Sequence, residues 1–422
     1  MGKLAMGPNL FADTYVEVSG TYDLIGSANA LPKSSTLFLP NVPGSENCPV
    51  NDAPGSVGKR HSSSPPRADR TLLILGDEKD WDSFKKFRRQ LFRCNPNKLA
   101  AVSATYDQLE SGELPMIETG SIIIYPFFPH AYWDKHIENG TYEGVYGNVE
   151  FYNKFRALWD KIKARLYEFY SDKRLYFINH PLRISVDRDK ELTKTMLAGA
   201  GIDVAAPIFT RRLEDILDLV EGAGEKLYLK VRYGSMGKGI TYMERGRWLT
   251  NFRFEEGRIV SMRSDHGWTF IDITGNVDFL RELLTKDIVV EKALGCPIID
   301  GQKFDLRFYV CLGSVLYIYA RTNAEDAVTT NISQGGKGRD PRFLKHIPRN
   351  IVKKAMRVAV KATEMIGLEF AGVDIMIDEE MKSVYVIELN AFPGFPPMQT
   401  YPTFNLSRRI IKRIENHQFQ GE

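Results

Sequence analysis

Gly372-Val373-Asp374-Ile375-Met376, the polar turn Asp378-Glu379-Glu380-Met381-Lys382-Ser383 and Val384-Tyr385-Val386-Ile387-Glu388-Leu389-Asn390 read together as two apolar strands joined by a turn. Residues two apart on a strand point to the same side, so Glu388 and Asn390 present oxygen atoms to one face. In an antiparallel pair Asp374, on the preceding strand, projects toward the same place. Three hard oxygen donors without histidine or thiolate suit Mg2+, which keeps several waters and shares its shell with nucleotide phosphates. The competing reading is a set of solvated polar groups at strand ends. An Asp and a Glu inside otherwise apolar strands favour a site.

Working toward the N-terminus, Tyr228-Leu229-Lys230-Val231 is a strand running into Gly234-Ser235-Met236-Gly237-Lys238-Gly239. Glycines let backbone N–H groups approach a phosphate, and lysine supplies charge. The loop is not a Walker A motif, because Gly239 follows Lys238 where Ser or Thr is required. Taken alone it is equally a common connector. Lys303-Phe304-Asp305-Leu306-Arg307 alternates strictly, so Asp305 and Arg307 share a face, and Arg321 ends the next strand. Two converging arginines suit a phosphoryl or acyl-phosphate group. The alternative for any one strand pair is a plain Asp–Arg ion pair.

At 422 residues the chain is long enough for two or three domains. Its 43% hydrophobic and 26% charged residues are those of a soluble globular protein. A net charge of +3 gives no footprint of nucleic-acid binding. No apolar run reaches the ~20 residues of a membrane span, and no secretory h-region opens the chain. Cys48, Cys94, Cys296 and Cys311 form no CxxC pair, which fits a reducing cytoplasm. Residues 1–67, rich in Pro, Gly and Ser from 42 onward, read as an extension and linker. The runs Thr71–Gly76, Ser121–Pro126 and Leu175–Asn179 alternate with helices, including one with Phe155, Leu158, Trp159, Ile162 and Leu166 on one face. They predict an open α/β domain over 68–182. Residues 187–201 read as a helix opening at Asp187-Arg188-Asp189-Lys190. A β-meander comes after Lys230, and residues 183–286 and 287–422 are read as two further lobes.

The order lysine, lysine with glycine loop, apolar strand ending in Glu, Asp-x-Arg, Arg, Asn, Asp and Glu-x-Asn resembles the ATP-grasp superfamily over residues 179 to 397. Gly372-Val373-Asp374-Ile375 and Glu388 through Gly394 look like the RimK-type amino-acid ligases, as does Asp189-Lys190. Asp300 through Arg307 is closer to the tubulin-tyrosine-ligase group. The glycine loop and Thr330-Asn331-Ile332-Ser333 resemble the spore-coat-associated group. The resemblance implies an N-terminal open α/β domain followed by a two-lobed ATP-grasp fold, α/β and α+β, with nucleotide between the lobes. It implies that Lys190 and Lys230 bind nucleotide phosphates beneath the loop Gly234, Ser235, Met236, Gly237, Lys238 and Gly239. Glu291, Lys292, Ala293 and Leu294 would hold adenine, with Lys303 and Asp305 near adenine and ribose. Asp374, Glu388 and Asn390 would hold Mg2+, Mn2+ being an alternative ion. Arg307, Arg321 and Asn331 would face the γ-phosphate and acyl phosphate as the catalytic set. One departure stands out: RimK-type enzymes carry arginine two positions before the asparagine, and here that position is Thr329.

The implied activity is an ATP-dependent, ADP-forming carboxylate–amine ligase that makes an amide bond through an acyl phosphate. Its partners would be a small-molecule or peptide carboxylate and an amine, with no nucleic acid or membrane, and with homo-oligomer formation left open. The alternatives are a small-molecule kinase of the inositol-phosphate kind, whose acceptor would need a basic pocket such as Lys85, Lys86, Arg88, Arg89 and Arg93, and a non-catalytic ATP-binding module. The aromatic loop Phe127-Phe128-Pro129-His130-Ala131-Tyr132-Trp133 walls a substrate pocket or packs against the core, and Ala324 to Gly338 is a candidate closing loop.

Overall fold

The computed structural model describes residues 68–77, 83–94, 96, 98–136, 146–260, 269–396 and 405–419. The expected extension and linker, residues 1–67, lies outside them.

Arg70–Gly76, Leu99–Thr105, Ser121–Pro126 and Arg174–Phe177 pair in parallel, in the spatial order second, first, third, fourth. A parallel sheet buries both faces, and the continuous apolar runs supply both. Leu73, Leu75, Ile122 and Ile124 join one core with Phe155, Leu158 and Trp159 of the helix Val149–Phe169. Their neighbours Leu72, Ile74, Ile123 and Tyr125 join another with Phe84, Phe87 and Leu91 of Ser83–Cys94 and with Ile410, Ile411 and Ile414 of Leu406–Asn416. The inward apolar side of Ser83–Cys94 leaves its basic residues on the outer side. Phe127, Tyr132 and Trp133 are buried in these cores, so these rings of the aromatic loop pack inward.

The middle sheet has six strands, in the order Ile271–Asp272, Arg247–Thr250, Ile240–Glu244, Leu227–Val231, Ile288–Lys292 and Pro207–Ile208. The strands from 227 to 250 are the expected meander. Phe279, Leu280 and Leu283 of the helix Val277–Leu284 fill its core. Ile288–Lys292 pairs antiparallel with Leu227–Val231, so the middle sheet runs on to Lys292, beyond the boundary that the sequence placed at 286/287.

The third sheet is antiparallel, with Lys337–Gly338, Ser314–Ala324, Gln302–Cys311, Phe370–Ile377 and Val384–Asn390 in that order and Ile298–Ile299 beside Gln302–Cys311. Phe304, Leu306, Phe308, Val373, Ile375 and Ile377 turn one face to the helix Arg349–Ile366. The other face carries Asp305, Arg307, Arg321 and Asp374.

The single helix expected over 187–201 is two helices, Pro181–Arg188 and Lys190–Gly199. Asp189 lies between them. It caps the second, accepting from Glu191 N at 3.1 Å and Leu192 N at 3.2 Å, and it grips the Arg232 guanidinium at 2.8 and 2.7 Å. A side chain that satisfies orphan amide donors and an arginine together fixes a break that charge pattern alone reads as a helix start.

Candidate active site

The oxygen-bearing row rests on a fault in the last strand. Val384 and Val386 face the core, and in a regular strand Glu388 would join them there. The ladder instead pairs Asp374 with Glu388 and Ile375 with Val386, leaving Ile387 as an extra residue. Such a bulge re-aims the side chains beyond it. Leu389 therefore enters the core while Glu388 and Asn390 join Asp374 on the opposite face. Asn390 Nδ2 lies 3.4 Å from Glu388 Oε1 and 3.4 Å from Gly372 O. Gly372 is needed here, since a Cβ on it would lie 2.6 Å from Pro393 Cβ.

Behind this row is a buried ion cluster. Arg307 donates to both oxygens of Asp374 at 2.6 and 2.7 Å. Arg321 clasps Asp305 through Nε at 2.8 Å and through Nη2, and lies 3.1 Å from Asp374 Oδ2. Burial works to raise the Asp374 carboxyl, but the two guanidinium groups outweigh it and hold it below the ordinary range. For Asp305 burial wins and its carboxyl is raised. Of the two expectations for the arginines, the structure shows the Asp–Arg pairs, which stand directly behind the metal-ligand candidates.

The strand end is tied to the N-terminal sheet. Asn179, at φ 68°, donates to Phe370 O at 2.6 Å and Ala391 O at 3.0 Å, and accepts from Phe370 N at 2.9 Å. Ala391 N donates to Asp187 Oδ2 at 2.8 Å. The other Asp187 oxygen is buried without a hydrogen-bond partner. Burial, reinforced by the charge of Glu388, pushes the Asp187 carboxyl up to about 6.

Asp187 and Glu388 line a cleft with Arg188, Lys190, Lys194, Gly234, Ser235 and Asn390. Lys190 Nζ donates to Gly234 O, so the helix Lys190–Gly199 holds the start of the glycine loop. Lys230 and Lys194 bind the two oxygens of Glu291. Burial pushes the Lys190 and Lys230 ammonium groups down to about 8, against the pull of Glu388.

The rest of the loop is fastened too. Asn251 Nδ2 donates to Gly237 O at 2.7 Å, and Ser333 Oγ to Met236 O at 3.1 Å. Gly237, at φ 71°, would bring a Cβ to 2.5 Å from Asn331 Nδ2. Lys238 Nζ sits 5.4 Å from the Tyr146 ring centroid. The loop and the Ala324 to Gly338 stretch therefore touch, with Asn331 at their junction. Lys303 Nζ and the Tyr228 hydroxyl both donate to Val328 O, at 3.3 and 2.6 Å.

In the segment expected to hold adenine, Glu291 turns its carboxylate to the lysines, while Lys292 N and Ala293 N donate to Ala206 O and Lys226 O at 2.9 and 2.7 Å. The sequence reading missed two cleft residues, Lys194 and Asp187. Lys194 could have been found, because it stands four residues, one helical turn, beyond Lys190. Asp187 gave no such signal.

Among the described residues no three His, Cys, Asp or Glu side chains group as a metal site. The donor set is two carboxylates and an amide, all oxygen, which fits Mg2+ with water and phosphate completing the shell. Asp374 Oδ1 accepts one hydrogen bond and keeps a lone pair. The lysine-lined cleft beside it fits a triphosphate.

Lysines, a glycine loop and a carboxylate row gather around one cleft, the arrangement that the ATP-grasp resemblance implies. Residues 208–415 match the family model described as YheC/D like ATP-grasp. A probable alpha-L-glutamate ligase of Legionella pneumophila (strain Corby) is 24% identical over 256 residues, 58% of this chain and 72% of that protein. One from Syntrophotalea carbinolica is 26% identical over 250 residues, 58% of this chain and 69% of that protein. Among solved structures, macrocyclase MdnC bound with precursor peptide MdnA from Microcystis aeruginosa MRC superposes with a TM-score of 0.51 at 11% identity, covering 82% of this chain and 100% of that one. That likeness concerns the fold.

Proposed function

We propose that the protein activates a substrate carboxylate with ATP and transfers the acyl group to an amine, with L-glutamate as the first amine to test because the sequence relatives are named alpha-L-glutamate ligases. The observation that carries this reading is the bulged ladder that puts Glu388 and Asn390 beside Asp374 and on the cleft of Lys190. A carboxylate oxygen attacks the γ-phosphorus, the bond to ADP breaks, and the amine nitrogen then attacks the acyl carbon and expels phosphate. Asp374, Glu388 and Asn390 would hold the magnesium, which when bound neutralises phosphate charge. Lys190, Lys230 and the glycine loop would hold the polyphosphate. Arg307 and Arg321 keep Asp374 ionised and aimed, and catalysis here is placement and charge neutralisation. Ala324 to Gly338, with Asn331, would shield the acyl phosphate from water. The lobes are 68–182, 183 to about 292, and the remainder. Cys94, Cys296 and Cys311 are free thiols, in keeping with a cytoplasmic setting. Mn2+ is an alternative ion.

The test is hydroxylamine trapping. Purified protein with MgATP and a panel of amino acids and short acidic peptides should yield a hydroxamate and ADP in equal amounts, and L-glutamate should suppress the hydroxamate by competing for the acyl group. ADP release that no carboxylate stimulates would sink the reading.

A further inference from the structure

Lys194 has no place in the motifs that marked out the nucleotide site, yet the fold brings it there. It lies one turn beyond Lys190 on the helix Lys190–Gly199, so both ammonium groups leave the same helix face. Its side chain is 13% exposed, and it ends on Glu291, whose side chain is 3% exposed. Lys230 reaches Glu291 from the neighbouring strand and binds Oε1, while Lys194 binds Oε2. The ladder pairs Lys230 with Val289 and Tyr228 with Glu291, which makes Lys230 and Glu291 diagonal neighbours on one sheet face. Lys190 and Lys194 line one cleft with Glu388 and Asn390.

Bringing three ammonium groups together out of water is unfavourable. Burial and the charges of Lys230 and Lys190 hold the Lys194 ammonium well below its ordinary pKa. Glu291 neutralises one charge and is shared between two lysines. Glu388 and Asp187 are the other carboxylates on the cleft; Glu388 faces the expected metal, and Asp187 is engaged with Ala391 N. An anion of high charge density, a polyphosphate, balances what remains.

We propose that Lys194 is a third phosphate-binding lysine of the cleft, positioned by Glu291 alongside Lys230. This rests on the nucleotide reading above. A role confined to packing would leave Lys194 without effect on a phosphate chain that carries no base.

The experiment uses the full chain, titration calorimetry and two probes, MgATP and inorganic tripolyphosphate. Wild type should bind both, and Lys230→Met should weaken both. Lys194→Met should weaken both by at least about tenfold and by similar factors, one charged contact being worth about that, and Lys194→Arg should recover most of the loss. Unchanged binding of both probes by Lys194→Met overturns the proposal. So does loss confined to MgATP, which would put Lys194 at the adenosine end. If Lys194→Met does not fold, Lys194→Gln and Lys194→Arg are compared with wild type on the same two probes, and equal tripolyphosphate affinity in Gln, Arg and wild type is the overturning result. Failure of wild type to bind MgATP removes the nucleotide reading itself, a result visible before any variant is made.

Discussion

Glu388 stands directly across the ladder from Asp374 because Ile387, beside it, is out of register. Deleting Ile387 removes the extra residue and sets Glu388 next to Val386 on a regular strand, so Glu388 keeps the face opposite Val386 and stays across from Asp374. The variant should therefore bury no unpaired carboxylate, stay close to wild type in stability and keep Mg2+-dependent nucleotide binding, and loss of that binding would count against this account of the face. Thermal unfolding and calorimetry with and without Mg2+ check both outcomes.

Glu388→Gln keeps the shape of the site and removes one charge facing the metal. Hydroxamate formation should fall roughly 10²-fold, as for loss of one preorganised electrostatic contact, while nucleotide binding in EDTA stays within about threefold. A comparable fall in both measurements would assign Glu388 to binding alone.

Arg307→Met leaves the buried Asp374 with Arg321 alone. Breaking one side of a buried pair costs about 3–5 kcal/mol. Adding Asp374→Asn should give back part of that loss, so the double variant is less destabilised than the two single losses combined. Urea unfolding of the four proteins, in EDTA, measures the coupling.

Asp187 predicts a pH dependence of opposite sign to the usual carboxylate. Its folded pKa, pushed up to about 6, lies above its unfolded value, so the unfolded chain gives up the proton first. Its contribution is therefore neutral below about pH 4, falls as pH rises to about 6, and stays unfavourable above that. Asp187→Asn keeps an acceptor for Ala391 N and cannot ionise. The variant should be more stable than wild type by up to ~3 kcal/mol at pH 8, with the difference vanishing near pH 4. Thermal melts across that range test it, and a constant offset would count against this account.

Much of this site was legible in the chain itself. Asp305 and Arg307 alternate with Phe304, Leu306 and Phe308, so their common face comes from the period of a strand. The glycine loop announces itself by composition, and Glu388 and Asn390 by their spacing. What could not be read is where that period breaks: nothing in Val384 to Asn390 shows that Ile387 is the extra residue, because a bulge is set by the partner strand. The break at Asp189 depends on Arg232, forty-three residues away. The shared carboxylate of Glu291 needs a helix and two strands assembled before it exists.

Ala391 is held at both of its backbone polar atoms. Asn179 binds its carbonyl and Asp187 accepts its amide hydrogen, so the end of the ligand-bearing strand is pinned from both sides by the segment leaving the first sheet. Any movement of the first sheet away from Asn390 must break both bonds, so hinge motion costs least where no such clasp is made.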